Sequence, residues 1–179
     1  MLKTLEKICR TGIITEPSPP SDESLRILNA LQFRILEVLG RALCIRAIDA
    51  GSCNGCELEI HALNNPLYNI EGLGIRFVAS PRHADLLLVT GPVAKNMEVA
   101  LRRTFDATPD PKLVVAIGDC GCTGGIFGES YATCGRVATV IPVDVAVPGC
   151  PPSPRQILSG ILTAITKAVP KILDQPQSV

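Results

Sequence analysis

The stretch DLLLVTGPVAKNMEVALRRTF (85–105) changes period in its middle. Its first part, DLLLVTG (85–91), is a continuous apolar run closed by glycine, the pattern of a β-strand covered on both faces. Its second part, VAKNMEVALRRTF (93–105), mixes apolar and charged residues at helical spacing. Another apolar run, KLVVAIGD (112–119), follows and reads as a strand. Strand, helix and strand in this order belong to a parallel sheet.

The same alternation extends in both directions. CIRAID (44–49) reads as the first strand, CELEIHALNN (56–65) as a helix and IRFVAS (75–80) as the second strand. The runs at 85–91 and 112–119 are the third and fourth strands, and VDVAVPG (143–149) is the fifth. PRQILSGILTAITKAV (154–169) is the last helix. The expected fold is α/β, an open parallel sheet with helices on both faces. Before it, EPSPPSDES (16–24) reads as a linker, followed by an amphipathic helix with Leu25, Leu28, Leu31, Ile35, Leu36 and Leu39 at helical spacing. That helix either packs on its own domain or meets a partner or membrane surface. The expected division is an N-terminal segment and linker (1–23), one α/β domain (24–170, with the N-terminal helix at 24–43) and a polar tail (171–179).

Hydrophobic residues form 46% of the chain and aromatics 3%, so the core must be built from Val, Ile, Leu and Ala. Mean hydropathy is +0.30, which suits a subunit whose surfaces are covered by partners. Lys+Arg and Asp+Glu are equal at 17 each, which argues against a nucleic-acid partner. The apolar stretches are too short and too interrupted to span a bilayer. MLKTLEKICRTG (1–12) has neither an apolar signal core nor a twin arginine. The expectation is a cytoplasmic protein, where the eight cysteines read as metal or redox ligands rather than a disulfide framework.

Four of these cysteines fall on one edge of the expected sheet. Cys53 and Cys56 follow the first strand, Cys120 the fourth and Cys150 the fifth. Ligands of an open parallel sheet bind outside the carboxyl ends of its strands. Four thiols there suit a tetrahedral zinc or an iron–sulfur cluster, with a redox dithiol as the third choice. Only Cys53 and Cys56 form a local CxxC pair, and the surrounding loops GDCGCTGGIFG (118–128) and PGCPPSP (148–154) are rich in Gly and Pro. Both features favour a cluster caged from several sides, with glycines letting the backbone approach sulfur. Cys44 reads as a buried apolar residue and Cys9 as incidental. Cys122 and Cys134 are either rivals of Cys120, a redox-sensitive pair or bystanders. Glu57, Glu59 and Asp119 lie beside the cysteines. They either tune a bound group's potential and carry protons or are helix-start carboxylates favoured by the macrodipole. His61 on the same helix either donates to a cluster sulfur or a partner carboxylate or is a partly buried polar residue in an interface, and Arg82, His83 and Asp85 read as structural.

SCNGCELEI, SPRHADLLLVTGPV, AIGDCGCTGGIF and PVDVAVPGCPPSP together resemble the small-subunit family shared by nickel–iron hydrogenases and respiratory complex I, over about residues 45–165. The likeness is to the small subunit of energy-converting, membrane-bound (group 4) hydrogenases of the formate hydrogenlyase type. It implies a flavodoxin-like fold and one [4Fe–4S] cluster held by Cys53, Cys56, Cys120 and Cys150. It further implies an electron relay next to a nickel–iron centre carried by a hydrogenase-type large subunit. The implied partners also include a ferredoxin-like iron–sulfur subunit and membrane-embedded subunits, with the chain peripheral on the inner face of the cytoplasmic membrane. The CxxC form, where the complex I B subunit has adjacent cysteines, points to the hydrogenase side. A B subunit feeding quinone, a related complex without hydrogenase activity and a zinc-stabilised assembly protein are the alternatives.

Overall fold

A computed structural model of the chain describes residues 22–173 together with Cys9. Most of the N-terminal segment and the end of the polar tail therefore lie outside the described residues. The described chain contains α1 (Asp22–Leu39), β1 (Leu43–Asp49), α2 (Gly55–Ala62), β2 (Ile75–Phe77), β3 (Leu86–Thr90) and α3 (Lys95–Ala107). It continues through β4 (Leu113–Ile117), α4 (Gly118–Thr123), β5 (Val145–Val147) and α5 (Pro154–Leu173), with short 3-10 turns at Pro81–His83 and Val137–Thr139.

All five strands run parallel in the order β2-β1-β3-β4-β5, the order of flavodoxin-type sheets. The period-2 pleat explains why the central runs are apolar throughout. In β3, Leu86 and Leu88 enter one core while Leu87 and Val89 enter the other. In β4, Leu113, Val115 and Ile117 take the first side, and Val114 and Ala116 the second. Every residue of both strands is buried. The first core is covered by α1 through Leu31 and Ile35, by α2 through Ile60, and by α5 through Ile157, Leu158, Ile161 and Ile165. The second is covered by α3 through Leu101 and by Val137, Val140 and Ile141.

The N-terminal amphipathic helix packs on its own domain: Leu31 and Ile35 are buried, and α1 lies along α5. Its Phe33 and Leu36 face outward. Cys44 is half-buried rather than buried, because β1 places it opposite Arg76 of the short edge strand β2. Asp85 has the structural role expected of it. Its carboxylate accepts from the Arg41 guanidinium at 2.6 and 3.0 Å and from the Cys44 backbone N–H at 2.9 Å. That contact ties the start of β1 to the start of β3. Asp85→Ala leaves the Cys44 amide without an acceptor and is expected to cost about 1–3 kcal/mol. Urea unfolding with an unchanged slope and a lower midpoint would record it.

Candidate metal centre

The loops after β1, β4 and β5 leave from the same edge of the sheet, but β3 separates β1 from β4. The β1 loop has to cross the end of β3 to reach the others. It does so over Gly91, where a side chain would place its Cβ 2.6 Å from the Ser52 amide nitrogen. Asp49 shapes the crossing by accepting the N–H groups of Gly51 and Ser52, each at 2.8 Å. Glu57 anchors it, accepting Ser52 Oγ at 2.6 Å and the hydroxyl of Thr90 at the end of β3.

Gly118 is where the three segments meet. Its φ is +82°, and a Cβ there would lie 2.6 Å from Cys56 Sγ, 3.4 Å from the Gly149 carbonyl oxygen and 3.9 Å from Pro152 Cδ. Gly118 stands two residues before Cys120, and Gly149 directly precedes Cys150. A second approach joins the same parts: a Cβ on Gly55 would lie 3.6 Å from Cys53 Sγ and 3.9 Å from the Pro151 ring. Gly125 lies against the third thiol, with a Cβ position 2.8 Å from Cys120 Sγ. Bare backbone thus faces Cys53, Cys56 and Cys120, a cradle that side chains would fill.

The electrostatics join the same residues. Burial pushes the Cys56 thiol up to about 12, and the charges of Glu57, Cys53, Cys120 and Cys150 add to the rise. Burial also raises Cys120, with Cys150, Cys53 and Asp119 adding to it. Thiols that oppose one another's ionisation are poor free thiolates. They are suited to a cationic group that deprotonates them on binding. Among the described residues, no three His, Cys, Asp or Glu side chains crowd a single-ion site.

Cys122 and Cys134 point elsewhere. The Cys122 thiol donates to the Ala116 carbonyl at 3.7 Å, and its pKa is raised by burial, with the Val147 amide opposing. Cys134 is 4% exposed in the second core and donates to Glu98 Oε2 at 3.3 Å. Burial and Glu98 raise it, while its thiol and Arg102 hold the Glu98 carboxyl below the usual range. Burial and their own local partners dominate both shifts, and the two thiols do not pair. Glu59 is half-buried, and its carboxylate makes no hydrogen bond among the described residues. His61 is exposed and lines a cavity of about 340 Å³ with Arg46, Asp49, Glu57, Phe77 and Thr90.

The sequence reading missed that Cys120 sits on a helix. The glycine-rich stretch expected as a loop forms α4, Gly118–Thr123. Its glycines and cysteines carry little helix propensity. It is held instead by burial of Gly118 and Gly121, the latter against Val89, Ala116 and Val137.

The probable membrane-bound hydrogenase subunit mbhJ of Pyrococcus furiosus is 46% identical over 134 residues, covering 75% of this chain and 80% of that protein. Formate hydrogenlyase subunit 7 of Escherichia coli is 42% identical over 144 residues, 80% of this chain. The chain spans about half of that protein's length, 55%. Among solved structures, a chain of the membrane-bound sulfane sulfur reductase, an archaeal respiratory membrane complex, superposes with a TM-score of 0.60 at 32% identity. That match covers 79% of this chain and 75% of that one. The family model described as NADH ubiquinone oxidoreductase, 20 Kd subunit, matches residues 53–164, a range that opens on Cys53 and includes the other three clustered cysteines. With that match over most of its length, the chain belongs to the 20 Kd subunit family of NADH ubiquinone oxidoreductase.

Proposed function

We propose that this chain is the electron-relay subunit of a membrane-associated hydrogenase complex, holding one [4Fe–4S] cluster on Cys53, Cys56, Cys120 and Cys150. The observation that carries the proposal is the meeting of three thiol-bearing segments around Gly118. Four thiols delivered from three separate places suit a cluster with four iron corners. A structural zinc usually draws its ligands from two local pairs. When bound, such a cluster takes up and gives off one electron at a time.

The chain's own residues hold and tune the site. The glycines at 55, 118 and 125 leave room beside sulfur, and Glu57 fixes the Cys53–Cys56 turn through Ser52 and Thr90. Its negative charge, already felt by Cys56, lowers the potential of a bound group. Glu59 is the nearby carboxylate left without a hydrogen bond among the described residues, and so the one available to carry a proton.

Large apolar side chains close to the cysteines in sequence stand exposed. Leu58 lies two residues past Cys56, and Ile126 next to Gly125 is 94% exposed. Phe127 and Tyr131 are exposed on the same loop. Exposed apolar side chains of this kind are the surface a partner subunit would cover, here a large subunit carrying nickel and iron, with a ferredoxin-like subunit as the other redox neighbour. No helix among the described residues is long and apolar enough to cross a membrane. Association with the inner face of the cytoplasmic membrane then runs through membrane-embedded partners.

Two other readings share this site. The family's description links it to ubiquinone, and the sulfane sulfur reductase match links it to a complex named for another substrate. Anaerobic purification with the complex, followed by iron, sulfide and nickel analysis and EPR after dithionite, separates them. About four irons and four sulfides assigned to this chain support the relay site. Nickel in the partner makes the complex a hydrogenase. Iron without nickel moves it to one of the other two, and zinc without iron overturns the relay.

A further inference from the structure

Asp119 and Gly149 bond to each other in both directions. The Asp119 N–H donates to the Gly149 carbonyl at 2.9 Å, and the Gly149 N–H donates to Asp119 Oδ1 at 2.8 Å. These residues directly precede Cys120 and Cys150. The β4–β5 pairing ends at Ile117 and Val147, so the sheet's own register no longer determines how far apart the two cysteines stand. Beyond it the Pro148–Gly149–Cys150 turn relies on this reciprocal ring. Gly149 adopts φ +138°, open to glycine and rarely to other residues, and a Cβ there would lie 2.6 Å from Pro152 Cα, so the turn is tightly packed where the ring closes.

We infer that Asp119 is a positioning residue: its carboxylate clamps the Cys150 turn to the Cys120 helix and sets their separation before any metal arrives. This rests on the ligand set proposed above. The carboxylate acts through Gly149 and not as a ligand. Ligands preorganised by neighbouring hydrogen bonds bind without first having to be ordered, and release metal more slowly.

Two substitutions separate the acceptor from the charge. Asp119→Asn keeps an oxygen for the Gly149 amide and removes the charge, whereas Asp119→Ala removes both. In the purified complex, a ferrous chelator is expected to strip iron from Asp119→Ala about tenfold faster than from wild type, and from Asp119→Asn at the wild-type rate. EPR of the reduced complex should show altered g-values in the alanine variant only. In the full-length chain without metal, Gly149 amide exchange is expected to accelerate about tenfold in Asp119→Ala and not in Asp119→Asn. Asp119→Ser, too short to span the gap, replaces the alanine variant if that chain does not fold. An alanine variant with wild-type iron release and wild-type Gly149 exchange overturns the clamp, as does an asparagine variant as labile as alanine. If the wild-type complex holds no iron in this chain, the ligand set fails. The Gly149 exchange contrast then still decides whether the clamp exists.

Discussion

Changing Cys56 to serine is expected to take the iron held by this chain from about four atoms to near none, while Cys134→Ser keeps all of it. Cys56 is the most embedded of the four thiols. Its sulfur lies against Gly118, and its pKa carries the charges of the other three. A serine hydroxyl there resists ionisation more than the thiol does and offers a hard oxygen where soft sulfur is wanted. Cys53→Ser, Cys120→Ser and Cys150→Ser should lose iron as well. Cys134 is engaged with Glu98 in the opposite core, and Cys122 with the Ala116 carbonyl. Their serine variants should therefore show the wild-type dithionite EPR signal and wild-type iron. If Cys122→Ser loses iron and Cys120→Ser keeps it, the ligand set is wrong.

Gly118→Ala is the second large effect. A left-handed backbone at φ +82° costs an L-residue roughly 1–2 kcal/mol. The added methyl would also stand 2.6 Å from Cys56 Sγ, with the Gly149 carbonyl oxygen at 3.4 Å. The Cys56 sulfur must move to relieve the approach, and the Gly149 carbonyl and Pro152 ring already in contact on the other side leave the methyl no room to shift away. The variant should lose most of its iron and melt at lower urea. Gly128→Ala is the control: its φ is +55°, and nothing lies within 4 Å of the added Cβ. It bears only the backbone cost and should keep full iron at slightly reduced stability. Gly118→Ala with full iron would show that the three segments do not need this close approach.

Much of the fold was legible because the pleat leaves a strong trace. LLLVT at 86–90 and LVVAI at 113–117 are apolar at every position, which only strands covered on both faces require. Parallel connectivity then put the ends of β1, β4 and β5 on one edge, and Cys53, Cys56, Cys120 and Cys150 with them. Helix α4 was illegible for the opposite reason. GDCGCT has no helical periodicity, and its geometry comes from neighbours far away in sequence. The fate of Cys122 and Cys134 depended on the same thing. Both lie near Cys120 in the chain, and only the packing turns one toward β4 and the other toward Glu98 on α3.

The sequence by itself determined the layers, the strand directions and the edge that carries the thiols, since these follow from periodicity and from the single handed way a parallel strand is reached. Only the tertiary structure decided which thiols share a field, how the β1 loop crosses β3 over Gly91, and that Asp119 and Gly149 lock two turns together. Those features depend on distances of a few ångströms between segments dozens of residues apart, and no local pattern records such distances.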